Sequence, residues 1–301
     1  MRWGHSGTRR QRYLCKGCQR TFTWRDQKPK YKRRFAAFQE WVIEGYPIRI
    51  LQRLHRASAS TLRRSIVYWL DHPPEEHIFS TTATSAIFDG SLLTKRRGVY
   101  VALDANTHTV ITAAYDIAEG GRDLFDFYQH LAKAGLCLKY ATIDGNTQQS
   151  TYLKNVWPAI TIQRCIVHVQ RQGLSWCRLH PKRTDAKHLR ALFVDLSTIK
   201  TTAQMQHFVH RVEQWEQRFG MMIHRTPEHG YVFSDLKRAR NMLLNALPHL
   251  FHFIDTPRVA SSTNALEGYF SRLKEHYRRH RGLSLAHRRT YFLWYFYLVR
   301  K

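Results

Sequence analysis

KYATIDGN (139–146) reads as a short apolar strand that runs directly into Asp144 and Gly145. A second segment of the same design, SAIFDG (85–90), lies upstream and ends on Asp89 and Gly90. In α/β sheets, sites gather outside the carboxyl ends of the strands. If these two strands lie side by side and parallel, both carboxylates emerge at one edge of the sheet. Taken singly, an Asp-Gly after a strand is an ordinary turn. The meaning therefore rests on finding two of them with suitable elements between.

Those elements are present. GVYVALD (98–104) and TVITAAYDI (109–117) are two further strands, joined by the hairpin-like ANTH. RDLFDFYQHLAKAG (122–135) has Leu124, Phe127, Tyr128 and Leu131 on one helical face and Gly135 as its stop. TQQSTYLKNVW (147–157) predicts a helix, AITIQRC (159–165) a strand, and CIVHVQRQ continues into another helix. The predicted order is strand, strand, strand, helix, strand, helix, strand, helix. This is an α/β pattern with a mixed sheet. From 176 to 255 the periodicity is helical, with Phe208, Val212, Trp215 and Phe219 on one face. STNALEGYFSRLKEHYR (262–278) is a late helix, with Ser262 or Thr263 as the expected cap. Asp104 also ends a strand, but its hairpin carries it away from the other two aspartates. Asp116, Glu119, Asp123 and Asp126 read as surface and helix-start charges.

The amino-terminal part differs in character. Residues 1–34 are dense in Lys and Arg and contain the pair Cys15 and Cys18. FAAFQEWVIEG (35–45), PIRILQRLH (47–55) and TLRRSIVYWL (61–70) predict helices, the last two separated by a small-residue turn, as in a helix-turn-helix. DHPPEEH (71–77) reads as a linker.

The 301 residues carry 48 Lys and Arg against 22 Asp and Glu, a formal charge of +26 and a pI near 10.3. That balance favours a polyanionic partner. Basic residues are spread along the whole chain, which points to nucleic acid more than to a membrane surface. No apolar run is long enough for a spanning helix, and no secretory signal is expected at the N-terminus. Five cysteines in a chain read as cytoplasmic suit a metal site or buried thiols better than disulfides.

Carboxylates that converge from distant parts of a chain repel unless a cation joins them. Hard oxygen ligands suit Mg²⁺ or Mn²⁺. Two such ions about 3.5–4 Å apart serve phosphodiester chemistry by acting on the attacking and leaving oxygens. Glu267, on the late helix, is the candidate third carboxylate.

The combination of IFDG, TIDGN, QRCIVH and TNALEGYFSRLK resembles the DDE-type transposases of bacterial insertion sequences related to the Mutator-like group. The resemblance covers roughly 80–290 and also includes HRGLS (280–284). It implies a ribonuclease-H-like mixed-sheet core interrupted by an all-helical insertion. Asp89, Asp144 and Glu267 are then the catalytic carboxylates that hold two Mg²⁺ or Mn²⁺ ions. Cys165 and His168 form the family's Cys-x-x-His, read here as structural. RYLCKGCQRTFTW resembles half of the zinc ribbon found at the start of related enzymes, with Cys15 and Cys18 as Zn²⁺ ligands.

The implied layout is a basic zinc-ribbon-like arm (1–34), a helix-turn-helix (35–75), the first part of the core (80–175), a helical insertion (176–256), and the last part of the core with a basic tail (257–301). The implied partner is double-stranded DNA, at element ends and target, bound by a homodimer or larger assembly in the bacterial nucleoid. The expected phosphate contacts are Arg9, Arg10, Arg12, Lys16, Arg20, Arg63, Arg64, Arg272, Lys274, Arg278, Arg279 and Arg281. Without the family, the same residues also fit a helix-turn-helix regulator with an inert α/β domain. An inactive, decayed transposase is a third reading.

Overall fold

The computed structural model describes residues 1–7, 9–24, 28–75, 81–93, 97–118, 121–225, 230–280 and 282–299. The chain divides into two compact units, Met1–His72 and Pro73–Lys301.

The first unit opens with strands β1 (Arg2–His5), β2 (Gln11–Leu14) and β3 (Thr21–Thr23), which form an antiparallel sheet in that order. Cys15 and Cys18 lie in the β2–β3 turn, closed by the Cys15 amide on the Arg20 carbonyl at 2.9 Å. Three helices follow: α1 (Lys28–Ile43), α2 (Ile48–His55) and α3 (Ala59–Asp71). Arg56 ends α2 in the left-handed conformation (φ 46°), and Ser58 caps α3 by accepting from the Thr61 amide. The buried side chains Phe38, Trp41, Val42, Leu51, Leu62, Ile66 and Leu70 supply the apolar packing of the three helices.

The second unit is built on a five-stranded mixed sheet among the described residues. Its strands are β4 (Ser85–Leu92), β5 (Arg97–Asp104), β6 (Val110–Ala118), β7 (Tyr140–Ile143) and β8 (Thr161–Arg164), arranged β6-β5-β4-β7-β8. The β4–β5 and β5–β6 pairs are antiparallel; β4–β7 and β7–β8 are parallel. Helix α4 (Arg122–Lys133) connects β6 to β7, and α5 (Thr147–Val156) connects β7 to β8. Phe88, Tyr100, Ala102 and Ile111 share one core with Leu124, Phe127, Tyr128 and Leu131 of α4 and with Leu153 and Trp157 at the end of α5. The expected inward face of α4 is thus the buried one.

Helix α6 (Ile166–Cys177) leaves the end of β8. It leads to α7 (Thr184–Asp195), α8 (Thr202–Trp215), a π-helical stretch (Glu216–Gly220), α9 (Met221–Arg225), α10 (Gly230–Ala246) and α11 (His252–Asp255). These helices have a core of their own around Phe193, Phe208, Val212, Trp215 and Leu243. Phe219 is half-buried at its margin. The chain then returns through α12 (Asn264–Arg279), which lies against β4, and α13 (Leu285–Leu298), which lies against β6. Phe292 of α13 stacks on Tyr115 of β6, with centroids 5.0 Å apart. Among the described residues no helix is long and apolar enough to cross a membrane.

Candidate active site

The parallel register of β4 and β7 pairs Ile87 with Thr142. Asp89 and Asp144 each stand two residues further on, at the same edge, on neighbouring strands. Both are half-buried. They line one small pocket with Gly90, Tyr100, Leu124, Asn146 and Gln149, whose free volume of about 10 Å³ admits a single water or ion.

Local geometry fixes each aspartate. The Gly90 amide donates to Asp89 Oδ1 at 2.8 Å, and the Asn146 amide to Asp144 Oδ1 at 3.1 Å. Asn146 in turn caps α5, accepting from the amides of Gln148 and Gln149. Gly145 has φ +105°, and a side chain there would collide with the Arg164 guanidinium. The TIDGN motif is therefore read residue by residue: a carboxylate, a glycine that bends the chain under Arg164, and a helix cap.

Arg164, the last residue of β8, was not singled out by the sequence beyond its place in QRC. Burial lowers its pKa, with the Asp144 charge acting in the opposite sense. It sets a cation beside the second aspartate.

Tyr100 lines the pocket, and Tyr128 stands behind it. Their hydroxyls are 2.6 Å apart, and the Gln149 amide nitrogen donates to the Tyr100 hydroxyl. Burial raises both phenols well above their ordinary range, with the Asp144 charge adding to the effect. Both therefore stay neutral donors near the carboxylates.

Glu267 lies in the first turn of α12, where the helix dipole favours a carboxylate. Its oxygens are held by Arg171 of α6, at 2.5 and 3.3 Å. The segment leading into α12 is fastened to β7 and α6. Thr142 of β7 donates to the Ala260 carbonyl at 2.7 Å, and the Ile166 amide to the Ser261 carbonyl at 3.0 Å. Thr263 occupies the cap position but makes no side-chain cap bond. Its amide and hydroxyl donate instead to the Cys165 sulfur, at 3.3 and 3.6 Å. The expected capping role is not taken up: Thr263 has φ −91° and ψ 9°, not the extended backbone of a side-chain cap, and its hydroxyl proton goes to the Cys165 sulfur instead.

Cys165 and His168 belong to this tie. His168 Nδ1 is 3.2 Å from Cys165 Sγ and 3.4 Å from Thr263 Oγ1. The bond to Cys165 raises the His168 pKa to about 9; burial opposes this, and the charges of Cys165, Asp89 and Asp144 add to it. Burial would raise the Cys165 thiol, but the bonds from His168 and the Thr263 amide more than offset it and the net shift is downward. Residues 165, 168 and 171 recur at helical spacing, so one face of α6 serves both the Thr263 tie and the Glu267 pair.

Asp104 stays apart. It pairs with Ala86 at the other end of β4 and accepts from the Asn106 amide of its own turn. Asp116 and Asp123 both pair with Arg97; Glu119 lies outside the described residues.

Among the described residues no three of His, Cys, Asp and Glu gather as a metal-binding group. The two aspartates share a pocket, and Glu267 is engaged by Arg171. In the turn of the first unit, amide bonds from Cys18 and Gly17 and the Cys18 thiol lower the pKa of Cys15. The shift favours the thiolate, the form that a thiophilic ion binds.

Arg9, Arg10, Lys16, Arg20, Arg63, Arg64, Arg272, Arg278 and Arg279 are exposed, and Arg12 and Lys274 half-exposed. Arg12 donates to Thr21 Oγ1, and Arg279 pairs with Glu275. Arg281 lies outside the described residues.

No protein-family model matches the chain, and no curated protein shows significant similarity to it.

Proposed function

We propose that the chain is a DDE-type transposase that binds the ends of a mobile DNA element and catalyses DNA strand cleavage and strand transfer. The observation that carries this reading is the common pocket of Asp89 and Asp144 at the ends of adjacent parallel strands. Further support comes from the strand order β6-β5-β4-β7-β8, with its first three strands antiparallel. We read that sheet as ribonuclease-H-like, with α7–α11 as the helical insertion and α12 as the carrier of the third carboxylate. The helix pair α2–α3 is the proposed end-recognition element, and the β1–β3 sheet with Cys15 and Cys18 a zinc-ribbon-like arm.

The donor set fits Mg²⁺ or Mn²⁺: two carboxylates in a pocket of ionic size, with a buried amide oxygen of Gln149 that has no partner. When bound, such ions activate the attacking oxygen and stabilise the departing one. The protein's own part is positional. Asp89 and Asp144 are held by their turns, the start of α12 is tied to α6 through Thr263 and Cys165, and Arg171 pairs with Glu267. An exposed Arg–Glu pair contributes only about 0–1 kcal/mol, so a divalent cation readily competes for the carboxylate. Exposed Arg and Lys side chains of both units meet phosphates, as a charge of +26 favours. A dimer or larger assembly, acting in the nucleoid, follows from the need to process two ends.

Cleavage of DNA carrying the element's terminal repeats, with Mg²⁺ or Mn²⁺ added, tests the proposal. Wild type is expected to nick it. Asp89→Asn, Asp144→Asn and Glu267→Gln should each lower the rate by at least about 10²-fold, the scale of a lost electrostatic contact to the reacting group, while DNA binding persists. Specific DNA binding with no cleavage in either metal would support the regulator reading instead.

A further inference from the structure

Gln149 is 3% exposed, yet its side-chain carbonyl oxygen has no hydrogen-bond partner. An orphaned buried acceptor is costly and calls for an explanation. The other end of the same amide is committed: its nitrogen donates to the Tyr100 hydroxyl, which lies 2.6 Å from that of Tyr128. Both phenols are buried, and Tyr128 is further enclosed by the rings of Phe88 and Trp157. The amide is thus clamped from inside the fold by one end. Gln149 also sits in the first turn of α5, where Asn146 fixes its backbone amide at 3.3 Å. Gln149 lines the same pocket as Asp89 and Asp144.

We propose that the Gln149 carbonyl is a further oxygen ligand of the divalent-ion site formed by Asp89 and Asp144, oriented by the Tyr100–Tyr128 hydroxyl pair. A neutral amide oxygen suits a hard cation. It adds a ligand without a third negative charge beside the two aspartates, so the pocket tolerates it when metal-free. The inference rests on the nuclease reading of the pocket and extends its ligand set.

The test is Mn²⁺ titration of the full chain by calorimetry, with metal-free melting temperature as a second readout. Gln149→Met keeps the length and removes both the orphaned oxygen and the nitrogen that donates to Tyr100. It is expected to weaken Mn²⁺ binding about tenfold, within the range for lost ligand-shell partners, while the metal-free protein still melts as a folded chain. Gln149→Glu is expected to bind Mn²⁺ at least as tightly as wild type. Tyr100→Phe is expected to weaken binding less than Gln149→Met does.

If Gln149→Met binds Mn²⁺ like wild type while Asp89→Asn does not, the ligand role is wrong and the metal pocket stands. If Gln149→Met lowers the metal-free melting temperature and leaves Mn²⁺ binding unchanged, the residue is structural. If wild type binds no Mn²⁺ at all, the nuclease reading falls and this inference with it.

Discussion

At the scale of single residues, the second aspartate's turn is the most constrained piece of the site. Gly145 has φ +105° and lies under the Arg164 guanidinium, so an alanine there meets both backbone strain and a clash. Gly145→Ala is expected to lower stability by about 1–3 kcal/mol, read as a fall in the denaturation midpoint, and to displace Arg164 from Asp144. His168 offers a second measurement. Its pKa of about 9 lies above the ordinary 6.5. Its contribution to stability is therefore complete below pH 6.5 and lost as the pH rises through about 9. The lowered Cys165 thiol acts in the opposite sense, so the clean observable is the ring itself. An NMR titration is expected to place His168 near 9 in wild type and lower in Cys165→Ala, since the largest raising cause is lost while burial still lowers it against the charges of Asp89 and Asp144. A ring that titrates normally in both proteins contradicts the tie.

At the scale of elements, most of the second unit's strands and helices were legible because their patterns are local. Strands ending in Asp-Gly and the α4 face with Leu124, Phe127, Tyr128 and Leu131 need no tertiary information. What the sequence could not reveal are contacts across long separations. Arg171 with Glu267, Thr263 with Cys165, and Gln149 with Tyr100 are each set by packing, not periodicity. The cap of α12 illustrates this. Thr263 carries the correct residue type, but its backbone (φ −91°, ψ 9°) is not in the extended cap conformation and its hydroxyl donates to Cys165. In the first unit the α3 cap is local and does form, through Ser58. Ser58→Ala is expected to cost about 1 kcal/mol in thermal or urea unfolding. Arg63 and Arg64 stand exposed on the same helix. Arg63→Ala or Arg64→Ala should each reduce the salt slope of DNA binding by about 1 if each meets one phosphate. An unchanged slope removes α3 from the interface.

At the scale of the whole molecule, the proposed function joins the net charge of +26 to the carboxylate edge. In that proposal charge supplies affinity without sequence information, while the pocket supplies the chemistry. Affinity for duplex DNA is expected to fall steeply with salt, with a log–log slope of several, near −0.9 per phosphate contacted. Fluorescence anisotropy across a salt series checks this, and a slope near zero contradicts it.

The central question is whether the pocket of Asp89 and Asp144 receives the third carboxylate when an ion is present. Crystals of the full chain grown with Mn²⁺, read by anomalous scattering, answer it directly. The expected result is an anomalous peak at about 2–2.6 Å from oxygens of both aspartates, the range of hard-cation coordination, with Glu267 released from Arg171 and turned toward it. A map with no peak at the aspartates and Glu267 still paired with Arg171 contradicts the proposal.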